Sequence, residues 1–181
     1  MAADGKTCRQ ILESVPQQPP FRFVDEITEM DEEHIVGAYR FREDEYFYQG
    51  HFPGLPITPG VILIETMAQT GVVAFGLYLV TLDAKTGKPM VDTVTLFTLA
   101  DNVEFTGVVR PGERVVITGK KIYFRGNQLK VAVSMARPNG EVVCSGMLAG
   151  KGIPRTQFNK TEKTNAFPLQ GRQGIGGEGK A

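Results

Sequence analysis

The chain is short of the residues that metal clusters and disulfide frameworks are built from. It has two cysteines, Cys8 and Cys144, and two histidines among 181 residues. Two thiols so far apart in sequence form neither a ligand cluster nor a disulfide scaffold, and they suit a reducing, cytoplasmic setting. No metal and no organic cofactor is expected. Excess charge is lacking too: 20 Lys+Arg balance 20 Asp+Glu. A dedicated nucleic-acid binder would show a basic surplus. The first twenty residues contain no apolar core of a secretory leader, so none is expected. A hydrophobic content of 41% excludes a solvated, highly charged disordered chain.

What is present is one long apolar run, VILIETMAQTGVVAFGLYLV, Val61 to Val80. Its length would just cross a bilayer. Glu65 and Gln69 lie inside it, and a carboxylate is costly in lipid. The run therefore predicts a helix buried in a soluble fold, with no membrane span. Around it the pattern predicts a short amphipathic helix over residues 9 to 15, stopped by Pro16, Pro19 and Pro20. Strands are expected over Phe21–Ile27, His34–Phe41, Thr93–Leu99, Asn102–Val109, Arg114–Phe124, Gln128–Ala136 and Glu141–Lys151. The acidic stretch Glu29–Glu33 reads as a connection, Glu43–Pro59 as an ordered loop and Asp83–Met90 as a polar turn region. Arg125-Gly126-Asn127 and Pro138-Asn139-Gly140 read as hairpin turns. A helix apolar nearly all round needs cover on all sides, and one curved antiparallel sheet wrapped about it supplies that cover. The expected domain is residues 1–154. Residues 155–181 are polar and Gly-rich, and read as a tail that is free or pinned through Phe158, Phe167 and Leu169.

Chemistry concentrates between Gln49 and Gly71. His51 sits in a loop stiffened by Gly50, Pro53, Gly54, Pro56 and Pro59, which suits an acid/base group held in place, although a lone loop histidine is often structural. Glu65 follows Gly60 by about 7.5 Å along the helix axis. A carboxylate in that apolar helix must be paired, hydrogen-bonded or protonated, and desolvation raises its pKa toward neutrality. Gln69, four residues on, shares its face and could orient it. Pro59, at or near the first helical position, leaves the Gly60 amide free beside the positive end of the helix, where an acyl carbonyl could dock.

Together these residues resemble a known family. GHFPGLPITPGVILIETMAQ, Gly50 to Gln69, is similar to the active-site segment of the β-hydroxyacyl-acyl-carrier-protein dehydratases, GHFPG-x-P-x-x-PG followed by an apolar helix that carries the acid and ends in MAQ. Pro20–Asp25 and Glu104–Val115 resemble further family segments, so that the likeness spans about residues 10 to 152. The resemblance implies a hot-dog fold, an α+β domain in which a curved antiparallel sheet wraps a long helix. It implies His51 and Glu65 as the catalytic pair, contributed by opposite subunits, and the Gly60 N–H as the thioester-carbonyl donor. Gln69 would orient Glu65, with Phe52, Pro59 and Val61 around the substrate. The implied reaction is dehydration of (3R)-hydroxyacyl thioesters to trans-2-enoyl thioesters in fatty-acid biosynthesis. The implied partners are an acyl carrier protein and further copies of this chain, as a dimer or trimer of dimers. Phe75 and Phe97 are candidate walls of an acyl tunnel. Glu65 matches the branch without isomerase activity, whereas Phe105-Thr106-Gly107 is similar to the bifunctional dehydratase/isomerase branch. Gln17, Gln18 and Pro19 stand where basic residues are usual. A hot-dog thioesterase, a bifunctional dehydratase/isomerase and a non-catalytic hot-dog subunit remain as alternatives.

Overall fold

In the computed structural model, residues 2–83, 93–154 and 156 are described. The chain runs α1 (Gly5–Ser14), β1 (Glu26–Met30), β2 (His34–Arg40), α2 (Gly60–Ala68), a π-turn (Gln69–Ala74), α3 (Phe75–Asp83), then β3 (Thr93–Phe105), β4 (Arg114–Arg125), β5 (Gln128–Ala136) and β6 (Val142–Pro154). The six strands form one antiparallel sheet in the order β1-β2-β4-β5-β6-β3. α2, the π-turn and α3 make one long helix against it. This is the hot-dog architecture.

Helix α1 starts four residues earlier than its apolar spacing predicts, because Asp4 caps it: Asp4 Oδ1 accepts from the Thr7 amide at 2.7 Å. Its buried face carries Cys8 and Ile11. Both cysteines are free and buried, and burial raises both thiols.

Several expected strand boundaries are corrected, including the last strand, which runs Val142–Pro154 rather than Glu141–Lys151. Phe21–Asp25 is not part of β1, which begins at Glu26 and runs on through Thr28–Met30. The segment reads as a strand in sequence, but Phe23 and Val24 are both buried while Phe21 is exposed, and the Phe23 amide is taken by a side chain rather than a neighbouring strand, as described below. The β1–β2 turn is correspondingly tighter, with Asp31 Oδ1 accepting from the Glu33 and His34 amides at 2.7 and 2.9 Å. Thr93–Leu99 and Asn102–Val109 are a single strand ending at Phe105. Two register shifts, at Phe97/Leu99 and Asp101/Glu104, absorb the polar interruption, and Asn102 takes a positive φ of 48° within the second. Beyond it, the Thr106 and Gly107 amides both donate to Val143 O, which closes the ladder. β5 lies where the sequence predicts it, set by a two-residue turn with Gly126 and Asn127 at φ 58° and 60°. The predicted Asp83–Met90 turn region falls, past Asp83, outside the described residues, and so does nearly all of 155–181.

The 23-residue stretch Gly60–Leu82 is long and apolar enough to cross a membrane, yet 72% of its most apolar window is buried inside the protein. Its covering is intimate. The π-turn presses three successive residues onto three strands at places where only glycine fits. A β-carbon on Gly37 would lie 2.8 Å from Thr70 Cγ2, on Gly119 3.1 Å from Gly71 Cα, and on Gly150 2.6 Å from Val72 Cγ1. The widened turn thus sits in a seat made by β2, β4 and β6.

Candidate active site

The loop before α2 is braced at both ends. Tyr48 and Thr58, both buried, share a hydrogen bond of 2.7 Å between their hydroxyls, and the Thr58 amide donates to Val109 O at 2.8 Å. Inside this frame the His51 amide donates to Phe47 O, and His51 O accepts from the Ile57 amide, each at 3.1 Å. The ring is fixed as well. Nδ1 lies 3.0 Å from Ile57 O, and the ring stacks on Phe52 with centroids 4.1 Å apart. A carbonyl can only accept, so Nδ1 carries the hydrogen and Nε2 keeps its lone pair. In the neutral ring the free lone pair of His51 is thus on Nε2. The other histidine, His34, is engaged by Asp31 in the β1–β2 turn.

Helix α2 begins at Gly60, with Pro59 as its cap residue, one position earlier than the first helical residue. Pro59 O accepts from the amides of Ile62 and Leu63 at 2.9 and 3.2 Å. The Gly60 and Val61 amides are the first-turn donors without an intrahelical acceptor. Gly60 also meets a residue that the sequence did not place in the site. A β-carbon there would lie 3.0 Å from Cε1 and Cζ of Phe105, so that ring covers the start of the helix. Phe105 itself, at the end of β3, is half exposed. The only sequence signal for it was the Phe105-Thr106-Gly107 likeness, which says nothing of its contact with Gly60. Phe52 and Val61 are exposed, Val61 at 71%.

Glu65 and Gln69 share a face, as their spacing predicts. Gln69 Nε2 donates to Glu65 Oε1 at 2.9 Å and to Phe21 O at 2.9 Å, while Gln69 Oε1 accepts from the Phe23 amide at 2.7 Å. Gln69 is fully buried. Burial raises the Glu65 pKa, and the Gln69 hydrogen bond opposes part of that rise. With Oε1 accepting an N–H, the proton of the neutral acid belongs on Oε2. Glu65 opens on a cavity of about 40 Å³ walled by Ala68, Val72, Val73 and Phe97. Phe97 lines this small cavity, whereas Phe75 is a fully buried core residue away from it. Within one protomer His51 bonds to Ile57 and Glu65 bonds to Gln69. Among the described residues no group of three His, Cys, Asp or Glu side chains is arranged to hold a metal.

A family description, the FabA-like domain, matches residues 15–147, well over half of the chain. The chain belongs to the FabA-like dehydratase family. Among curated members of the family, it is 39% identical over 140 residues to the 3-hydroxyacyl-acyl-carrier-protein dehydratase FabZ of Caldicellulosiruptor bescii, covering 77% of this chain and 93% of that one. It is 36% identical over 149 residues to the FabZ of Syntrophobacter fumaroxidans, covering 82% and 95%. Among solved structures, the dehydratase heterocomplex ApeI:P from Xenorhabdus doucetiae superposes with a TM-score of 0.66 at 13% identity, over 84% of this chain and 96% of that one. A mutant thioesterase from Pseudomonas aeruginosa gives 0.55 at 12% identity, over 84% and 95%. These two likenesses concern the fold.

Proposed function

We propose that this FabA-like protein dehydrates 3-hydroxyacyl thioesters carried on acyl carrier protein to trans-2-enoyl thioesters, as a step of fatty-acid biosynthesis in the cytoplasm. The observation that carries the reading is the carboxyl set in the apolar helix: Glu65, whose pKa burial raises and which Gln69 orients, one and a half turns from the Gly60 amide. The thioester carbonyl accepts from Gly60 N–H, which stabilises the enolate-like oxygen as the α-proton leaves. His51 Nε2 takes that proton. Glu65 Oε2 gives its proton to the 3-hydroxyl, the C–O bond breaks, and water departs. The imidazolium and carboxylate that remain are reset when a proton returns from His51 to Glu65.

The site is completed by a second copy of the chain. The two sheet edges differ: β1 is five residues long and carries Glu26 and Glu29, whereas β3 is thirteen residues long and exposes Phe97, Leu99 and Phe105. A short charged edge resists pairing and a long apolar one invites it. Pairing along β3 covers those side chains and brings the partner's imidazole toward Glu65, in keeping with the absence of a His51–Glu65 hydrogen bond among the described residues of one protomer.

The deciding experiment offers the purified protein a panel of 3-hydroxyacyl carrier-protein substrates of graded length and follows products by mass spectrometry. Loss of water to the 2-enoyl product is expected, and it should vanish in His51→Ala and Glu65→Gln. Release of free acid instead would make the protein a thioesterase and overturn the reading. Appearance of a 3-enoyl product would add isomerisation to it.

A further inference from the structure

Two glutamines lie around Glu65, one bonded to it and one lining the cavity it opens on, and they differ in what their side chains bind. Gln69 has its amide hydrogens on Glu65 and Phe21 and its oxygen on Phe23. Gln17, on the segment that leads out of α1, lines the same cavity as Glu65, but its Oε1 is buried and has no hydrogen-bond partner. Buried polar atoms in native proteins are nearly always paired, so an acceptor left open beside an acid points to a donor that arrives with a ligand. The cavity, at about 40 Å³, has room for a hydroxyl group or a water molecule. Ala68, Val72, Val73 and Phe97 offer that group nothing, which leaves Gln17, Glu65 and the Thr95 side chain as the polar residues of the wall.

We propose that Gln17 Oε1 accepts the hydrogen of the substrate's 3-hydroxyl, and then one hydrogen of the water it becomes. This rests on the dehydratase reading above and adds a third side chain to it. The chemistry asks for an acceptor at this point. The hydroxyl must turn a lone pair toward Glu65 Oε2, and an acceptor holding its hydrogen on the other side does that. Glu65 then gives up its proton, the C–O pair goes to oxygen, and the new water has two O–H groups in an apolar pocket. The carboxylate just formed accepts one and Gln17 accepts the other. Gln17 so becomes a specificity residue that distinguishes a 3-hydroxyacyl chain from a saturated one of equal length.

The test uses the full chain with Gln17→Met, which keeps the length of the side chain and removes the acceptor, and Gln17→Glu, which keeps an acceptor and adds charge. Two quantities are read: kcat/KM on a 3-hydroxyacyl carrier-protein substrate, and the inhibition constant of the saturated acyl carrier protein of the same length. Gln17→Met should lose about tenfold in kcat/KM with the inhibition constant unchanged within about twofold. Gln17→Glu should move the alkaline limb of the kcat profile to higher pH, because a second carboxylate in so small a cavity makes Glu65 harder to ionise. A Gln17→Met enzyme with wild-type kcat/KM, or one that loses hydroxyacyl and saturated ligands in parallel, overturns the assignment. So does an unmoved limb in Gln17→Glu. Each of these leaves the dehydratase reading standing if the wild type turns over and Glu65→Gln does not. Wild-type protein that forms no enoyl product overturns both.

Discussion

Gln69 ties Glu65 to the chain segment that crosses above it. One amide donates to Glu65 Oε1 at 2.9 Å while the carbonyl of the same side chain accepts from the Phe23 amide at 2.7 Å. Because Phe23 and Gln69 are both fully buried, the bond has no water to replace it. Gln69→Leu should orphan the Phe23 N–H and the Phe21 carbonyl and cost about 1–3 kcal/mol. Thermal unfolding measures that loss, and turnover should fall with it because the carboxyl is no longer held. A variant melting with the wild type would show that the bridge contributes nothing.

As the proposed acid, Glu65 should trade stability for activity. Its carboxyl pKa is raised in the folded protein, so the folded state binds the proton more tightly than the unfolded chain. Its contribution to stability is therefore lost as pH rises from the unfolded carboxyl value through the raised one. Glu65→Gln escapes this loss. It should lower turnover by about 10²–10⁴ yet melt no lower than wild type at neutral pH, and the difference should close below about pH 4. Melting curves at the two pH values check it. A variant markedly less stable at neutral pH would mean that the carboxylate is favourably paired.

Mixing inactive His51→Ala with inactive Glu65→Gln tests where the two halves of the site reside. After full exchange half the dimers are mixed, and each has one intact site of two, so about a quarter of wild-type activity should return. No recovery after exchange verified by native mass spectrometry would place both groups in one chain.

The Phe105 ring lies tightly against Gly60. A methyl group there would press on the ring at 3.0 Å. Gly60→Ala should tilt the first turn of α2 and lower kcat/KM by about a hundredfold. Adding Phe105→Ala removes the obstacle, and the double variant should regain part of the loss in a double-mutant cycle. A double variant no better than Gly60→Ala would place the fault elsewhere.

The part of the site lying within one stretch of chain was legible in the sequence. The spacing of Glu65 and Gln69 put them on one helical face, and the hydrogen bond between them follows from that spacing. The buried helix, β2, β4 and β5 were legible for the same reason, since local periodicity and turn residues decide them. What escaped depends on distant partners. Phe21–Asp25 alternates like a strand, but Gln69, 46 residues beyond Phe23, takes the hydrogen bond a strand would use. The π-turn leaves no mark in the periodicity of the run and is matched by glycines in three other elements. Gln17 and Phe105 reach Glu65's cavity and Gly60 from a prolyl segment and a strand end, where local periodicity does not place them.

The open edge of β3 also bears on how the protein is made. On the pairing proposed above, a newly released copy presents thirteen residues of strand with one side unpaired and its aromatic rings in water until a second copy arrives. Synthesis of many chains close together on one message shortens that interval, and slow or dilute synthesis lengthens it. The protein's yield in a cell should thus depend on the rate at which copies meet as well as on the stability of each fold.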